Sequence, residues 1–316
     1  MNIILLGYNG YIGSYILEQL VQQTKKNHNI KIICVGRDIK KKPFRNLKIS
    51  YVKWDFLNFS NSKLYFFKKK NILINCVGKN SSNSKNLRET NLIFIQKLFA
   101  YIHKNRISVH LIHLGSVSVY SVEKEKLDGI KNISENSTIK PNDYYSKYKL
   151  EADKFIQNTQ KISNNKMSYT ILRIANVFSY SRNSSAFSLI RYLLKKGIWI
   201  KCSYDTRYHF IHAKDVARIV LLCILNLRIS RNKIYIVADD NNQFNLHTIY
   251  AKNYNLKMLI IPISLKFLNL ISRYLFLPKK ILNLFFTISS EINYDNSKIK
   301  KELNFKTRYS LKNKII

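Results

Sequence analysis

The first sixteen residues constrain the fold most, because they combine an apolar run with three evenly spaced glycines. Ile3 to Leu6 is apolar, Gly7, Gly10 and Gly13 follow, and a helical pattern begins at Ser14. Glycine lets the backbone approach a pyrophosphate, and a helix N-terminus supplies N–H groups and partial positive charge. The stretch therefore predicts the strand, turn and helix start of a nucleotide-binding βαβ unit. Because only 8 of the 316 residues are glycine, three at this spacing favour a function over a chance turn.

Buried strands alternate with helical patterns through the first half of the chain. Short apolar runs predict the strands, and the stretches between them predict helices. After the first strand, the predicted strands are residues 30–36, 49–54, 72–77 and 109–114, and the predicted helices are residues 62–69 and 91–103. Strand after helix after strand is typical of a parallel, doubly wound α/β sheet, so we expect a Rossmann-like fold.

The charge balance is extreme, since 54 lysines and arginines against 18 acidic residues give a net charge of +36. Such a charge suggests nucleic acid or an anionic membrane as a partner. However, the lysines are spread along the whole chain, accompany many Asn, Ile and Tyr, and form no basic helix with groove-reading spacing. We therefore expect no nucleic-acid partner and interpret the charge as the bias of an A/T-rich coding sequence that also attracts an anionic substrate. Association with a membrane surface is the less favoured alternative.

The cysteines and the apolar segments indicate a soluble protein of a reducing compartment. Cys34, Cys76, Cys202 and Cys223 stand far apart without metal or redox spacing, so we expect buried free thiols. The longest apolar region, residues 258–289, is interrupted by four basic residues. It leaves no run of the roughly 18 residues that a membrane span needs. We expect a cytoplasmic location.

Two histidines in the fifth predicted strand, His110 and His113, are candidate metal ligands. An i, i+3 pair on a strand points to opposite faces, and no acidic cluster lies nearby in the sequence to complete a site. We therefore expect no metal centre.

The residue after the second predicted strand normally meets the adenosine ribose of a dinucleotide. Arg37 stands at this position, and its guanidinium suits a 2′-phosphate, which favours NADP over NAD. Two other interpretations remain open. The neighbouring Asp38 can take the acidic role that binds the ribose hydroxyls of NAD, and Arg37 can be an ordinary solvated loop residue.

Three polar residues, Ser116, Tyr145 and Lys149, are candidates for catalysis, one after the fifth predicted strand and two at the start of the next predicted helix. Ser116 lies just past the carboxyl end of that strand, where open α/β sheets bind ligands. Tyr145 and Lys149 stand four residues apart at a helix start, so they share one face at about 6 Å. An ammonium beside a phenol stabilises the phenolate and lowers a pKa that is otherwise about 10. A tyrosine tuned in this way exchanges a hydroxyl proton with a substrate while a nicotinamide carries the hydride.

The glycine turn, Ser116 and the Tyr145/Lys149 pair together resemble the extended short-chain dehydrogenase/reductase family, in its nucleotide-sugar epimerase/dehydratase branch. The resemblance covers nearly the whole chain. Its further motifs are LRIANVF at residues 172–178, FIHAKDVA at 210–217 and DNSKIKKELNF at 295–305. The resemblance implies NAD(P) as the cofactor, a nucleotide sugar as the substrate and a homodimer as the assembly.

The resemblance also implies roles for individual residues. Tyr145 is expected to give or take the proton, Lys149 to hold the nicotinamide ribose, and Ser116 to hydrogen-bond the reacting oxygen. The residues expected to bind the cofactor are Gly7, Asn9, Gly10, Tyr11, Ile12, Gly13, Arg37, Asp55, Phe56, Val77, Gly78, Asn91, Tyr145 and Lys149. The residues expected to bind the substrate are Ser116, Ser118, Asn176 and Arg207.

Several positions depart from the family pattern. Tyr148 stands where a serine usually precedes the lysine, and Ser179 replaces a glycine after NVF, so that this turn can differ. Tyr208 replaces an arginine that often contacts the substrate diphosphate. Arg207 lies one place away, which leaves that contact open.

The same pattern separates the reactions known in the family. Dehydratases usually need an acid/base pair, often Asp-Glu, just after the catalytic serine or threonine, and Val117 and Ser118 occupy that place here. We therefore expect a 4-epimerase or a 4-ketoreductase that transfers a hydride at C4 of a UDP-hexose or UDP-N-acetylhexosamine, and Arg37 favours reduction with NADPH. The alternative is a cofactor-binding member of the fold that has lost turnover and attaches to a membrane or a complex.

The chain is expected to divide into two parts. Residues 1–177 form the NAD(P)-binding domain, to which residues 207–238 return, and residues 178–206 and 239–316 form a smaller substrate-binding lobe. Within the lobe, IPISLKFLNL at residues 261–270 is similar to members that act on UDP-N-acetyl sugars in surface-polysaccharide pathways. The same segment also fits the core of the lobe, or a basic apolar helix resting on a membrane.

Overall fold

Thirteen strands lie in the part of the chain that the computed structural model describes. That part comprises residues 1–26, 29–39, 48–55, 66–67, 70–80, 83–120, 131–163, 166–179, 192–201, 210–239, 251, 255–262 and 292–309. The strands are β1 (Asn2–Leu6), β2 (Lys31–Gly36), β3 (Ile49–Lys53), β4 (Lys70–Asn75), β5 (Ser108–Ser116), β6 (Lys131–Ile133), β7 (Met167–Ile174), β8 (Asn176–Phe178), β9 (Ile198–Lys201), β10 (Phe210–His212), β11 (Lys233–Val237), β12 (Leu259–Pro262) and β13 (Ile292–Tyr294).

Helices connect most of the long strands. They are α1 (Tyr11–Lys26), α2 (Ser84–Arg88), α3 (Phe94–Lys104), α4 (Tyr144–Ile162), α5 (Ala213–Leu225), α6 (Leu227–Ser230) and α7 (Ser297–Leu303). A π-helical turn, Glu89–Ile93, joins α2 to α3, and a 3₁₀ turn, Val117–Tyr120, follows β5.

Seven parallel strands form the central sheet in the spatial order β3-β2-β1-β4-β5-β7-β11. The chain order reverses between β1 and β4, and ligands of doubly wound sheets bind beyond the carboxyl ends of the strands at this reversal. Three two-stranded parallel pairs, β8 with β10, β9 with β12 and β6 with β13, lie outside the sheet. The predicted Rossmann-like α/β fold is therefore confirmed.

Two apolar cores lie on the two faces of the sheet, which explains why its strands are apolar without alternation. In β1, Ile3 and Leu5 face the core that α1, α5 and α7 cover, while Ile4 and Leu6 face the core of α3 and α4. All four side chains are fully buried. Parallel strands covered on both faces have this composition.

The predicted elements differ from the observed ones mainly at their ends. Helix α1 begins at Tyr11, within the glycine turn, rather than at Ser14. Strand β5 continues through Ser116, two residues beyond its predicted end. The helix predicted from residue 91 begins at Ser84 and passes through the π-helical turn, because its buried residues extend across that turn into α3.

The predicted division into a nucleotide-binding domain and a lobe stays a prediction. Most of the helix predicted at residues 62–69, and most of the lobe including residues 263–291, lie outside the described residues. Of the residues predicted to form the lobe, the structure describes β9, the exposed strand β12, β13 and α7, and α7 packs into the core of the central sheet.

The described cysteines are free thiols. Cys34 and Cys223 are buried as expected, but Cys76 is only half-buried, because it lies in the loop that leaves β4. Cys202 lies outside the described residues. Among the helices that the structure describes, none is both long and apolar enough to cross a membrane.

Candidate active site

The glycine turn brings the start of α1 against the end of β1. Gly7 has a φ of +77°, which disfavours any other residue, and its carbonyl accepts the N–H of Gly10 at 2.9 Å. A Cβ on Gly13 would lie 2.2 Å from the same carbonyl oxygen, so the turn closes only with glycine there. The first N–H groups of a helix have no intrahelical acceptor. The turn therefore holds those of Tyr11, Ile12 and Gly13 at the carboxyl edge of the sheet.

The end of β2 is tied to this turn by two side chains of the turn itself. Asn9 donates a hydrogen bond to the Asp38 carbonyl at 2.5 Å, and the Tyr8 hydroxyl donates to the same oxygen at 3.3 Å. Arg37, directly before Asp38, is exposed. The side chains predicted to meet the adenosine ribose thus stand beside the glycine turn, with the Arg37 guanidinium open to solvent.

A buried asparagine shapes the loop after β4. Asn91 lies in the π-helical turn, where its side chain accepts from the Lys79 N–H at 3.2 Å and donates to the carbonyls of Lys79 and Leu87. A Cβ on Gly78 would lie 3.1 Å from the Asn91 Oδ1 and 3.2 Å from the Lys149 Nζ. Gly78 therefore leaves the space in which the asparagine and the lysine approach the loop.

Helix α4 begins with a capping box that fixes the orientation of its first turn. The Asp143 carboxylate accepts the Ser146 N–H at 2.7 Å, and the Ser146 hydroxyl accepts the Asp143 N–H at 3.1 Å. Tyr145 and Lys149 follow on one helical face, as the spacing predicts. This face is directed toward the end of β5, where Ser116 lies.

The side chains of Ser116 and Tyr145 interact with each other across the site. The Ser116 Oγ also accepts from the Ser118 N–H at 3.2 Å and from the Ser118 hydroxyl at 2.9 Å. Lys149 is buried one helical turn further along and donates from Nζ to the Leu114 carbonyl at 2.9 Å. The structure thus brings together the three residues predicted to be catalytic.

The protonation states at the site are governed mainly by burial. Burial lowers the pKa of Lys149 to about 8, although Asp153 and Cys76 oppose the shift. Burial also raises the pKa of Tyr145, and the hydrogen bond with Ser116 lowers it only in part. The expected lowering of the Tyr145 pKa by Lys149 is not found, because burial dominates and the ammonium is directed to the Leu114 carbonyl.

A buried ionic network adjoins the site, and the motifs alone did not reveal it. The Arg173 Nε donates to the Asp153 Oδ2 at 3.0 Å, and its Nη1 donates to the Tyr120 hydroxyl. The Arg173 guanidinium also stacks over the Tyr120 ring, with its carbon 4.8 Å from the ring centroid. Two signals were present in the sequence: an acidic residue four positions after Lys149, and an arginine in the apolar second half of strand β7.

The remaining predicted residues lie in different surroundings. Asp55 is half-buried directly after β3, and Val77 is buried with its N–H bonded to the Asn75 Oδ1 at 3.1 Å. Asn176 is exposed at the start of β8. Phe56 and Arg207 lie outside the described residues.

The two histidines of β5, which were considered as metal ligands, are hydrogen-bonded to other side chains. The His110 ring bonds the hydroxyls of Ser168 and Thr170 at 2.9 and 3.0 Å, and the His113 Nδ1 accepts from the Asn75 amide at 3.1 Å. Burial lowers the pKa of His110 to about 4 and that of His113 well below its usual value. Within the described ranges, no three His, Cys, Asp or Glu side chains are grouped as metal ligands would be.

Comparison with known proteins identifies the family. The model of the NAD dependent epimerase/dehydratase family matches residues 3–238. The chain belongs to this family. No sequence of a curated protein matches the chain significantly.

Solved structures of other epimerase/dehydratase proteins share the fold over nearly the full length. UDP-glucuronic acid 4-epimerase from Bacillus cereus, in complex with NAD, is 16% identical with a TM-score of 0.72, covering 99% of this chain and 93% of that chain. dTDP-glucose 4,6-dehydratase from Bacillus anthracis, also with NAD, has 16% identity, a TM-score of 0.71 and the same coverage. UDP-glucose 4-epimerase from Thermotoga maritima, with UDP-glucose, has 15% identity and a TM-score of 0.69, covering 99% and 95%. Likeness at this identity shows the common fold.

The residues at the carboxyl edge of the sheet fit the dinucleotide that the family uses. A turn that closes only with glycine presents helix N–H groups where a pyrophosphate would be bound. Gly78 leaves open space beside Asn91 and the buried ammonium of Lys149, where a side chain would intrude. Tyr145 lies at the same edge, where its side chain interacts with that of Ser116.

Proposed function

We propose that the protein is an NAD(P)-dependent nucleotide-sugar 4-epimerase or 4-ketoreductase, acting at C4 of a UDP-hexose or UDP-N-acetylhexosamine. The observation that carries the proposal is that Ser116, Tyr145 and the buried Lys149 lie together at the end of β5, where Lys149 donates to the Leu114 carbonyl at 2.9 Å. A serine, a tyrosine and a lysine at the end of a parallel strand form a proton-transfer site, and packing alone requires none of the three.

The cofactor accepts a hydride from the sugar carbon or delivers one to it. The residues that would hold its diphosphate are Gly7, Gly10 and Gly13 with the first N–H groups of α1. Arg37 would bind the 2′-phosphate of NADP, which supports a preference for NADPH and hence for reduction. Lys149 would hold the nicotinamide ribose.

The site residues handle the proton that accompanies the hydride. Tyr145 donates it to a C4 oxygen when a ketone is reduced and removes it when an alcohol is oxidised. Ser116 donates a hydrogen bond to the same oxygen and fixes its position. Ser116, rather than Lys149, opposes the effect of burial on the Tyr145 pKa.

The residues after Ser116 support an epimerase or a reductase rather than a dehydratase. Val117 is buried, and the Ser118 hydroxyl is bonded to Ser116, so neither supplies an acid/base pair. Two of the related structures contain a UDP-sugar epimerase, which supports a UDP-linked hexose as the substrate class. On the substrate side we propose Ser116, Ser118, Asn176 and Arg207, which would face a lobe formed by residues 178–206 and 239–316. We also propose a homodimer that serves surface-polysaccharide biosynthesis.

A product assay tests this proposal. Purified protein is given NADPH or NADH with a UDP-4-keto-6-deoxy-N-acetylhexosamine, and separately NAD with UDP-N-acetylglucosamine or UDP-glucose. Absorbance at 340 nm and chromatography of the sugar nucleotides are the measurements. Stoichiometric loss of NADPH with the keto sugar identifies a 4-ketoreductase, and a C4 epimer without net loss of cofactor identifies a 4-epimerase. Cofactor binding without turnover on any of these sugars would contradict the proposal and favour the non-catalytic alternative.

A further inference from the structure

We propose that Asp153 is the positioning residue for Lys149: it is the buried counter-ion that keeps the lysine protonated, and Arg173 and Tyr120 hold it in place. The inference concerns the site of the proposed function and rests on it for its kinetic consequence. The arrangement itself is a matter of burial and charge in the folded chain.

The first argument is the geometry of α4 against β5. Asp153 follows Lys149 by four residues, so the two side chains lie on one helical face. The Lys149 Nζ is bonded to the carbonyl of Leu114, and a Cβ on the next residue, Gly115, would lie 3.3 Å from the Asp153 Oδ1. The ammonium and the carboxylate therefore lie over adjacent residues of the same strand, and Gly115 leaves the space for the carboxylate.

The two carboxylate oxygens of Asp153 differ in their hydrogen bonds. Asp153 is fully buried, and its Oδ2 accepts from Arg173. Its Oδ1 has no hydrogen-bond partner among the described residues. A buried carboxylate oxygen without a donor is costly unless a nearby positive charge compensates it. Besides Arg173 on β7, Lys149 supplies a positive charge near Asp153, on the same face of α4.

The third argument is that the other groups around the lysine do not fix its charge. Cys76, just after β4, opposes the effect of burial on the Lys149 pKa less than Asp153 does, and His113, within β5, is neutral because burial lowers its pKa. Asp153 is the main group that opposes the effect of burial on the Lys149 pKa. Around Asp153 itself, the other titratable groups among the described residues are Arg173, Tyr120, Tyr169 and Tyr145.

The test is the protonation midpoint of Lys149 in the full-length protein, measured by NMR with lysine carrying ¹³C at Cε. The Lys149 resonance is identified by its loss in Lys149→Met. We expect a midpoint near pH 8 in the unaltered protein and one lower by about one pH unit or more in Asp153→Asn. Asp153→Glu is expected to restore most of the shift, and Glu151→Gln, on the same helix, is the matched control with an unchanged midpoint.

Loss of the carboxylate leaves Arg173 buried and unpaired, so Asp153→Asn can fail to fold. The double variant Asp153→Asn/Arg173→Gln removes both charges, and its midpoint is expected to fall in the same direction by about half a unit or more. An unchanged midpoint in the folded variant would overturn the proposal and leave Asp153 a structural residue that affects the melting temperature alone. The titration needs no substrate, so its failure is distinct from failure of the proposed reaction.

Discussion

The two sides of the candidate active site are built from different parts of the chain. The cofactor turn, Gly7 to Gly13, acts through backbone groups, and its geometry depends on the absence of side chains. The proposed catalytic corner, formed by Ser116, Tyr145 and Lys149, would act through side chains whose protonation depends on burial and on neighbouring charges. The comparison predicts that changes in the cofactor turn alter folding and cofactor affinity, while changes in the catalytic corner alter turnover and its pH dependence.

Gly13→Ala is expected to have the largest effect. The added methyl group would lie 2.2 Å from the Gly7 carbonyl oxygen, so the turn must open. We expect a loss of about 3 kcal/mol in the free energy of unfolding, measured with urea, and no NAD binding detectable by calorimetry. Gly10→Ala is the matched control: its Cβ would lie 3.1 Å from the same oxygen, and we expect a loss of about 1 kcal/mol. Equal losses would contradict the role of the close approach at Gly13.

Ser116→Ala tests the proposed catalytic residues, as Gly13→Ala tests the cofactor turn. It removes the hydroxyl proposed to hydrogen-bond the reacting oxygen beside Tyr145, so we expect kcat to fall about 100-fold. NAD affinity should stay within about twofold, because the cofactor turn is untouched. Ser118→Ala removes a donor to Ser116 and a proposed substrate contact but leaves Tyr145 and Ser116 in place, so its kcat should fall less than about tenfold. Unequal cofactor affinities with equal kcat values would show that Ser116 belongs to the cofactor side.

The pH dependence should also differ between the two sides. Because the folded-state pKa of Lys149 is lowered to about 8, its ammonium is present below this pH and is lost above it. Turnover should therefore fall as the pH rises through about 8. Binding of ADP-ribose, which lacks the nicotinamide, should stay nearly constant from about pH 7 to 9. Parallel losses of turnover and ADP-ribose affinity would contradict the separation.

Arg37→Ala is expected to have the smallest effect, since the side chain is exposed. We expect NADPH affinity to fall about tenfold and NADH affinity to stay within about twofold. Arg228→Ala is the control for net charge, because Arg228 is an exposed arginine in helix α6, which precedes β11. Equal effects on both cofactors would assign Arg37 to the solvated loop, and loss of NADH affinity in Asp38→Asn would assign the ribose to the acidic residue.

Much of the fold followed from local pattern. The apolar runs and the glycine spacing predicted the parallel sheet and the first turn, because strands buried on both faces need apolar residues throughout. The element ends were predicted less well. The glycines of the turn do not indicate that α1 begins at Tyr11. The π-helical turn around Asn91 arises from packing that no local propensity encodes.

The candidate site was predictable in its residues but not in its electrostatics. The spacing of Tyr145 and Lys149 predicted a shared helical face, because a helix fixes that relation locally. The direction of the Tyr145 pKa shift and the Asp153–Arg173–Tyr120 network depend on burial and on contacts between residues 20 and 53 positions apart. Such contacts exist only once the sheet has formed.

The central claim is that the cofactor turn determines NAD affinity, while Ser116, Tyr145 and Lys149 determine turnover. The Tyr145→Phe variant tests this claim most directly. NAD affinity and kcat are measured on the same preparation, with Tyr144→Phe, the exposed neighbouring tyrosine, as the control. The account predicts a kcat lower by about 100-fold or more in Tyr145→Phe, NAD affinity within about twofold, and no change in Tyr144→Phe. Full turnover by Tyr145→Phe, or a loss of NAD affinity as large as the loss of kcat, would contradict it.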